Sequence, residues 1–211
     1  MTDLVIPSRG YVNLEARWDV PDHPSDVFVF CHPHPQHGGT MDVPLLQGVT
    51  DILKERSVAV LRFNFRGVGG STGTWSGGID EIDDIAAAVA TARMWFPDTP
   101  VTVGGWSFGG ATSLRWIARD REDLGWIGIA APISSALTPP LPPREALSNA
   151  ARTFIIGDRD QFITVAEVED YAAAVGGDVA VIKGSDHFFF YRHERVGDLV
   201  ADAIAGGTPP P

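Results

Sequence analysis

A serine between paired glycines is the first feature of this sequence that could do chemistry. The stretch from Val101 to Gly110 reads VTVGGWSFGG, and Gly105–Gly109 fits the pattern G-x-S-x-G. In that pattern a serine sits at the tip of a sharp strand-to-helix turn, where a Cβ on the flanking residues would clash. Such a turn exposes the hydroxyl of Ser107 and directs the N–H groups of the following helix toward a ligand. A glycine-rich turn whose serine has no chemical role shows the same pattern. The pattern therefore indicates a nucleophile only if the sequence also contains partners for Ser107.

Two further residues supply those partners. A serine hydroxyl is a weak nucleophile at neutral pH and needs a base that is oriented by a third group. His187 follows the last predicted strand within GSDH, and Asp160 follows the preceding strand within GDRD. Asp158 is the competing acid, and we favour Asp160 because it lies further out on the turn. Asp186 is adjacent to His187, which makes it a turn residue in our interpretation.

Acyl transfer also needs two N–H donors for the developing oxyanion. The first expected donor is the backbone N–H of Phe108, the residue after the serine. The second should come from the loop His32–Thr40, which reads HPHPQHGGT and follows a predicted strand. Pro33 and Pro35 have no N–H, so His34 is the candidate.

These residues must be positioned by the elements around them. Apolar runs and amphipathic stretches alternate from residue 27 onward, after a predicted early hairpin of 4–6 with 11–20. Strands are predicted at 27–31, 58–63, from 101, at 126–131, 152–157 and 178–183, and helices at 45–55, 79–96, 111–119, 164–175 and 193–204. This alternation predicts the α/β class, with a mostly parallel central sheet and helices on both faces. The candidate residues follow strands directly, so they should meet at the carboxyl edge of the sheet.

Composition narrows the class of protein further. The chain has 211 residues, 44% of them hydrophobic, and a net charge of −11. The size predicts one domain over 1–204, with 205–211 as a flexible tail. The negative charge argues against nucleic acid or an anionic membrane as a partner. Cys31 is the only cysteine, and no signal peptide or membrane helix is recognisable, so a cytoplasmic enzyme is expected.

Together these motifs resemble a small α/β hydrolase without a cap domain, similar to dienelactone-hydrolase-like and serine-peptidase-like esterases. The resemblance covers about 27–196 and rests on the His32–Asp42 loop, the segment RFNFRGVG at 62–69, the Ser107 turn, the 157–160 turn and His187. It implies Ser107 as nucleophile, Asp160 as acid and His187 as base, with no cofactor. Dienelactone hydrolases themselves use a cysteine nucleophile, and many relatives have His-Gly in place of His32-Pro33. Arg66 resembles the arginine of a loop that braces the active site in such proteins, which implies a structural role.

The expected substrate is a small acyl compound in an open pocket. Residues 132–149 are too few, and with five prolines too rigid, to form a cap. The pocket walls are expected to include aromatic side chains, namely Trp75, Trp106, Phe108, Phe162 and Phe188. Esters, thioesters and amides share one type of tetrahedral intermediate, so the three catalytic candidates do not choose among them, and the oligomeric state stays open.

Two alternatives come from other classes of protein. His32, His34 and His37 form H-x-H-x-x-H, a spacing that resembles the zinc motif of metallo-β-lactamase-like hydrolases. Gln36, however, stands where that family has a metal-binding aspartate, so we predict no metal. The other alternative is a hydrolase fold that only binds or scaffolds.

Overall fold

The computed structural model of the chain describes residues 1–207. Eight strands form one sheet in the order β1-β2-β4-β3-β5-β6-β7-β8. The strands are β1 Thr2–Ser8, β2 Val12–Asp19, β3 Asp26–Cys31, β4 Val58–Phe63, β5 Val101–Trp106, β6 Gly125–Ile129, β7 Arg152–Gly157 and β8 Asp178–Ile182. The helices are α1 Pro44–Glu55, α2 Glu81–Trp95, α3 Phe108–Asp120, α4 Val165–Val175 and α5 His193–Ile204.

The sheet is mostly parallel, as the alternation predicts. The first two strands form an antiparallel hairpin, β2 pairs antiparallel with β4, and β3 to β8 run parallel. Every residue of β4 and β7 is buried, which requires cover on both faces of the sheet. Helices α1 and α5 pack together on one face, and α2 packs against α3 on the other.

The helix after the serine begins earlier than the sequence suggests. The sequence predicts a helix at 111–119, whereas α3 runs from Phe108 to Asp120. Glycine has a poor intrinsic helix propensity, which made the first turn look like loop. Tertiary packing overrides that propensity. The first turn of the helix lies so close to the end of β5 that a Cβ on Gly110 would be 2.8 Å from the carbonyl oxygen of Gly105, so glycine is required there. The helix predicted at 79–96 is slightly shorter, from Glu81 to Trp95.

The sheet edge where the parallel strands end carries the residues of interest. Ser107 follows β5 directly, Asp160 comes three residues after β7, and His187 comes five residues after β8. Between β6 and β7, where a cap would be inserted, the chain forms loop and a 3₁₀ turn at Arg144–Ala146. Of the predicted tail, 205–207 close the last helix, and 208–211 lie outside the described residues. No helix within 1–207 has the length and apolar character needed to cross a bilayer.

Candidate active site

The turn at Ser107 is backbone-strained and closely packed. Ser107 has φ 52° and ψ −117°, outside the regions that non-glycine residues usually adopt. Its N–H donates to the carbonyl of Ile129 at 2.7 Å, which ties the turn to the neighbouring strand. A Cβ on Gly105 or Gly109 would lie 2.5 or 2.4 Å from the carbonyl oxygen of Cys31. The glycines of the G-x-S-x-G pattern are therefore required by contact with β3.

Ser107, His187 and Asp160 form one hydrogen-bonded line. The Oγ of Ser107 lies 3.1 Å from Nε2 of His187, and Nδ1 of His187 lies 2.7 Å from Oδ2 of Asp160. A carboxylate only accepts hydrogen bonds, so Nδ1 carries the proton and Nε2 is free to accept one from the serine. The His187 residue is 7% exposed, and the Asp160 side chain is fully buried. The structure thus brings together three residues that are far apart in sequence.

The two competing aspartates have other partners. Oδ1 of Asp158 accepts from the N–H of Gly184 at 2.6 Å, which joins the loops after β7 and β8. Oδ1 of Asp186 accepts from the N–H groups of Phe188 and Phe189, as expected of a turn residue. Among these carboxylates, Asp160 is the one hydrogen-bonded to the imidazole of His187.

Backbone donors hold the Asp160 carboxylate in place. Its Oδ1 accepts from the N–H of Phe162 at 2.9 Å and from that of Ile163 at 3.1 Å, which leaves Oδ2 for the imidazole. The indole N–H of Trp106 donates to the carbonyl of His187 at 3.0 Å, and the side chain of Gln161 accepts from the N–H of His187. The sequence did not indicate this role of Gln161, because nothing in its local pattern shows which backbone it contacts.

Two residues that line the cavity of Ser107 have a backbone N–H without a protein acceptor among the described residues. Within residues 1–207, neither the N–H of Phe108 nor that of His34 donates to another protein group. Phe108 is the first residue of α3, where the helix leaves N–H groups without intrahelical partners. His34 has φ −53°, and Nδ1 of its side chain accepts from the N–H of Gln36. Both residues line the same cavity as Ser107.

The cavity at Ser107 has a volume of about 480 Å³, a size typical of small-molecule sites. Trp106, Phe162 and Phe188 line it as expected, and Phe188 is 39% exposed rather than part of the core. Phe108 contributes there too, although its side chain is fully buried. The sequence does not mark the other residues that line the cavity, namely Pro33, His37, Pro132, Ser134, Ser135, Leu137, Thr138 and Ile163. Most of these come from the loop after β6, whose position at the carboxyl edge was their only signal.

Trp75 lies elsewhere than expected. It lines a neighbouring depression with Gln36 and Pro139, and it is not among the residues that line the cavity of Ser107. Its ring packs behind the loop, 4.8 Å from the ring of His34 and 5.1 Å from that of Phe108. The residue His34 lines both this depression and the cavity of Ser107.

The three loop histidines do not converge on one point. Both ring nitrogens of His32 are hydrogen-bonded to backbone groups, and Nδ1 of His34 is occupied by an N–H. Within 1–207 no three His, Cys, Asp or Glu side chains are grouped so that they could hold a metal ion. Arg66 donates to the buried carboxylate of Asp84 through Nε and Nη2, as a bracing residue would.

Comparison with known proteins identifies the family of this chain. The family Hydrolase_4, described as serine aminopeptidase S33, matches residues 22–189. The chain belongs to this family. It is therefore a serine hydrolase with the α/β-hydrolase fold and without a cap domain.

Solved structures of similar proteins share the whole fold. An α/β serine hydrolase homologue from Coxiella burnetii is 25% identical with a TM-score of 0.82, covering 96% of this chain and 97% of its own. An α/β serine hydrolase without a lid from Xanthomonas campestris is 25% identical with a TM-score of 0.81, covering 100% and 96%. An esterase from Pyrococcus furiosus has a TM-score of 0.82 at 18% identity, covering 98% and 90%, and it shares the fold alone.

Proposed function

We propose that this serine hydrolase cleaves carboxylic esters through Ser107, His187 and Asp160. The observation that carries the proposal is the unbroken line of hydrogen bonds from the serine hydroxyl to the buried carboxylate, at 3.1 and 2.7 Å. In this arrangement His187 takes the proton of Ser107 as the hydroxyl attacks the substrate carbonyl. Asp160 holds the imidazole in the required tautomer and stabilises its charged form.

The second half of the mechanism concerns the substrate oxygen. Attack converts the carbonyl into a tetrahedral oxyanion, which the N–H groups of Phe108 and His34 would bind. His187 then returns the proton to the leaving alcohol, and the acyl group stays on Ser107. A water molecule that is deprotonated by the same imidazole releases the acid and regenerates the hydroxyl.

The cavity lining favours esters over the substrates of an aminopeptidase. An aminopeptidase must bind a free ammonium group, which calls for a carboxylate in the pocket. Within 1–207, the residues that line the cavity include no aspartate or glutamate, and most of them are apolar. Thioesters and amides remain the alternatives on the same three residues.

The decisive experiment combines a substrate panel with active-site labelling. Wild-type protein should hydrolyse p-nitrophenyl esters, and Ser107→Ala should lower kcat by about 10³-fold or more without unfolding the chain. A fluorophosphonate should label wild-type protein and Ser134→Ala, since Ser134 lines the same cavity, but not Ser107→Ala. Hydrolysis of aminoacyl amides alone would contradict the ester assignment. Labelling at another serine would contradict Ser107, and inactivity on the whole panel would favour the non-catalytic alternative.

The size of the cavity sets an expected substrate range. Each buried methylene adds about 0.8 kcal/mol only while apolar surface remains to receive it. A cavity of about 480 Å³ shared by acyl and leaving groups should stop rewarding longer chains early. We therefore expect kcat/KM to be highest for acyl groups of roughly two to six carbons. A steady rise through twelve carbons in a p-nitrophenyl ester series would disprove this limit.

A further inference from the structure

His32 is a buried histidine to which the proposed mechanism gives no role. It has no exposed surface, and it follows β3 directly. The N–H of Phe65 donates to Nε2 of His32 at 3.0 Å, so that nitrogen carries no proton. The proton is therefore on Nδ1, which donates to the carbonyl oxygen of Pro33 at 2.7 Å. The imidazole thus links the segment after β4 to a single peptide bond of the loop.

That peptide bond is the one that carries the N–H of His34. A peptide group is planar, and none of the described residues has a cis peptide bond. In a trans peptide the N–H points opposite to the C=O, so holding the oxygen of Pro33 also fixes the direction of the His34 N–H. The oxygen is directed to the buried imidazole, and the N–H has no protein partner within 1–207.

We propose that His32 is a positioning residue for the oxyanion hole, because its Nδ1–H orients the Pro33–His34 peptide toward the substrate oxygen. The inference rests on the proposed function, since it assigns a task to the His34 donor. A donor that is fixed before the reaction needs no reorganisation as charge develops in the transition state. Without the bond from His32, the peptide could rotate and the donor would be misdirected.

Two further features agree with a fixed peptide. A Cβ on Gly39 would lie 2.1 Å from the oxygen of Pro33, so the loop leaves room for this oxygen only because residue 39 is glycine. Burial, helped by the nearby His34 and opposed by the hydrogen bond to Pro33, lowers the pKa of His32 to about 4. The imidazole is therefore neutral at ordinary pH, as the bond that Nε2 accepts from the N–H of Phe65 requires.

A pair of substitutions separates positioning from simple packing. The amide of asparagine can place an N–H donor near the position of Nδ1, so His32→Asn keeps the bond to Pro33 and loses the one from Phe65. Glutamine reaches the position of Nε2, so His32→Gln keeps an acceptor for Phe65 and loses the donor to Pro33. Each variant thus removes one of the two hydrogen bonds that His32 makes. Both variants disturb the core, and thermal unfolding measures that shared effect.

The expected result is a difference between the two variants in kcat. His32→Gln should lower kcat by about tenfold to a hundredfold more than His32→Asn, with KM nearly equal, because only the transition state uses the donor. A boronic acid that mimics the tetrahedral intermediate should lose affinity for His32→Gln by a similar factor. Equal losses in both variants, or losses that follow the melting temperature, would overturn the proposal.

A double variant tests whether His32 acts through His34. In a His34→Pro background the donor is absent, so adding His32→Gln should cost little more activity. Fully additive losses would show that His32 acts by another route.

An NMR experiment tests the inference without any substrate. If wild-type protein hydrolyses nothing, the proposed function fails by itself, and the amide proton of His34 still reports on the positioning role. Its chemical shift and exchange rate should change in His32→Gln more than in His32→Asn, and equal changes would refute the positioning role.

Discussion

The turn at Ser107 and the loop His32–Thr40 would each supply one N–H for the oxyanion, but they are held in different ways. The turn is held by backbone contacts, since its glycines pack on the carbonyl of Cys31 and its N–H binds β6. The loop also has backbone bonds, from the N–H groups of His37 and Gly39 to the carbonyl of His34. In addition it depends on side chains, since the imidazole of His32 donates to the oxygen of Pro33 and that of His34 accepts from the N–H of Gln36.

This difference predicts how the two regions respond to substitution. A donor at the start of a helix is set by the helix itself, and changing one side chain does not redirect it. A donor within a loop depends on the few groups that fix its peptide, so single substitutions can remove or redirect it.

The largest of these effects should come from Asp160, whose carboxylate is hydrogen-bonded to His187. Asp160→Asn should lower kcat by about 10⁴-fold, because an amide can present its own N–H to the imidazole and favour the wrong tautomer. Asp158→Asn is the matched control, since its carboxylate binds the N–H of Gly184 instead. Steady-state kinetics on one ester decides between them. The opposite ranking of the two variants would mean that Asp158 is the acid.

The next effect tests the loop donor directly. His34 has φ −53°, which proline adopts without strain, and its N–H has no partner within 1–207 to lose. His34→Pro should therefore fold normally and lower kcat by roughly 10²- to 10³-fold, the usual cost of one oxyanion donor.

His34→Ala is the control for that substitution. It removes the imidazole but keeps the N–H, so its loss of kcat should be much smaller than that of His34→Pro. Comparable losses in the two variants would assign the effect to the imidazole of His34. The loop would then contribute a side chain to the cavity wall and no N–H donor to the oxyanion.

The smallest effect concerns stability against pH. His32 has a pKa of about 4 when folded, below the ordinary 6.5, so the unfolded chain binds its proton first. The histidine therefore destabilises the fold progressively as pH falls from 6.5 to 4, by roughly 3 kcal/mol at the low end. Urea unfolding at several pH values should show a shallower pH dependence for His32→Asn than for wild type. Parallel curves would indicate that His32 is not held neutral.

Much of the architecture could be predicted because its signals are local. Apolar runs of strand length between amphipathic stretches indicate a parallel sheet, and the structure confirms the order of elements. Ser107, Asp160 and His187 each come after a strand of this sheet, and the carboxyl ends of parallel strands lie at one edge. The sequence therefore predicts that the three residues meet there. The preference for Asp160 over Asp158 also rests on local sequence, because Asp160 lies two residues further from the end of the strand.

What the sequence alone determined is therefore the class of fold, the strained turn and the residues that follow each strand, since strand period and glycine spacing act over a few neighbours. The tertiary structure decided which side chains face the cavity. Trp75 packs against His34 and lines the neighbouring depression, whereas Leu137 forms part of the cavity wall. It also decided that His32 donates to the oxygen of Pro33. These outcomes depend on how loops from different strands pack together, and no local pattern encodes that packing.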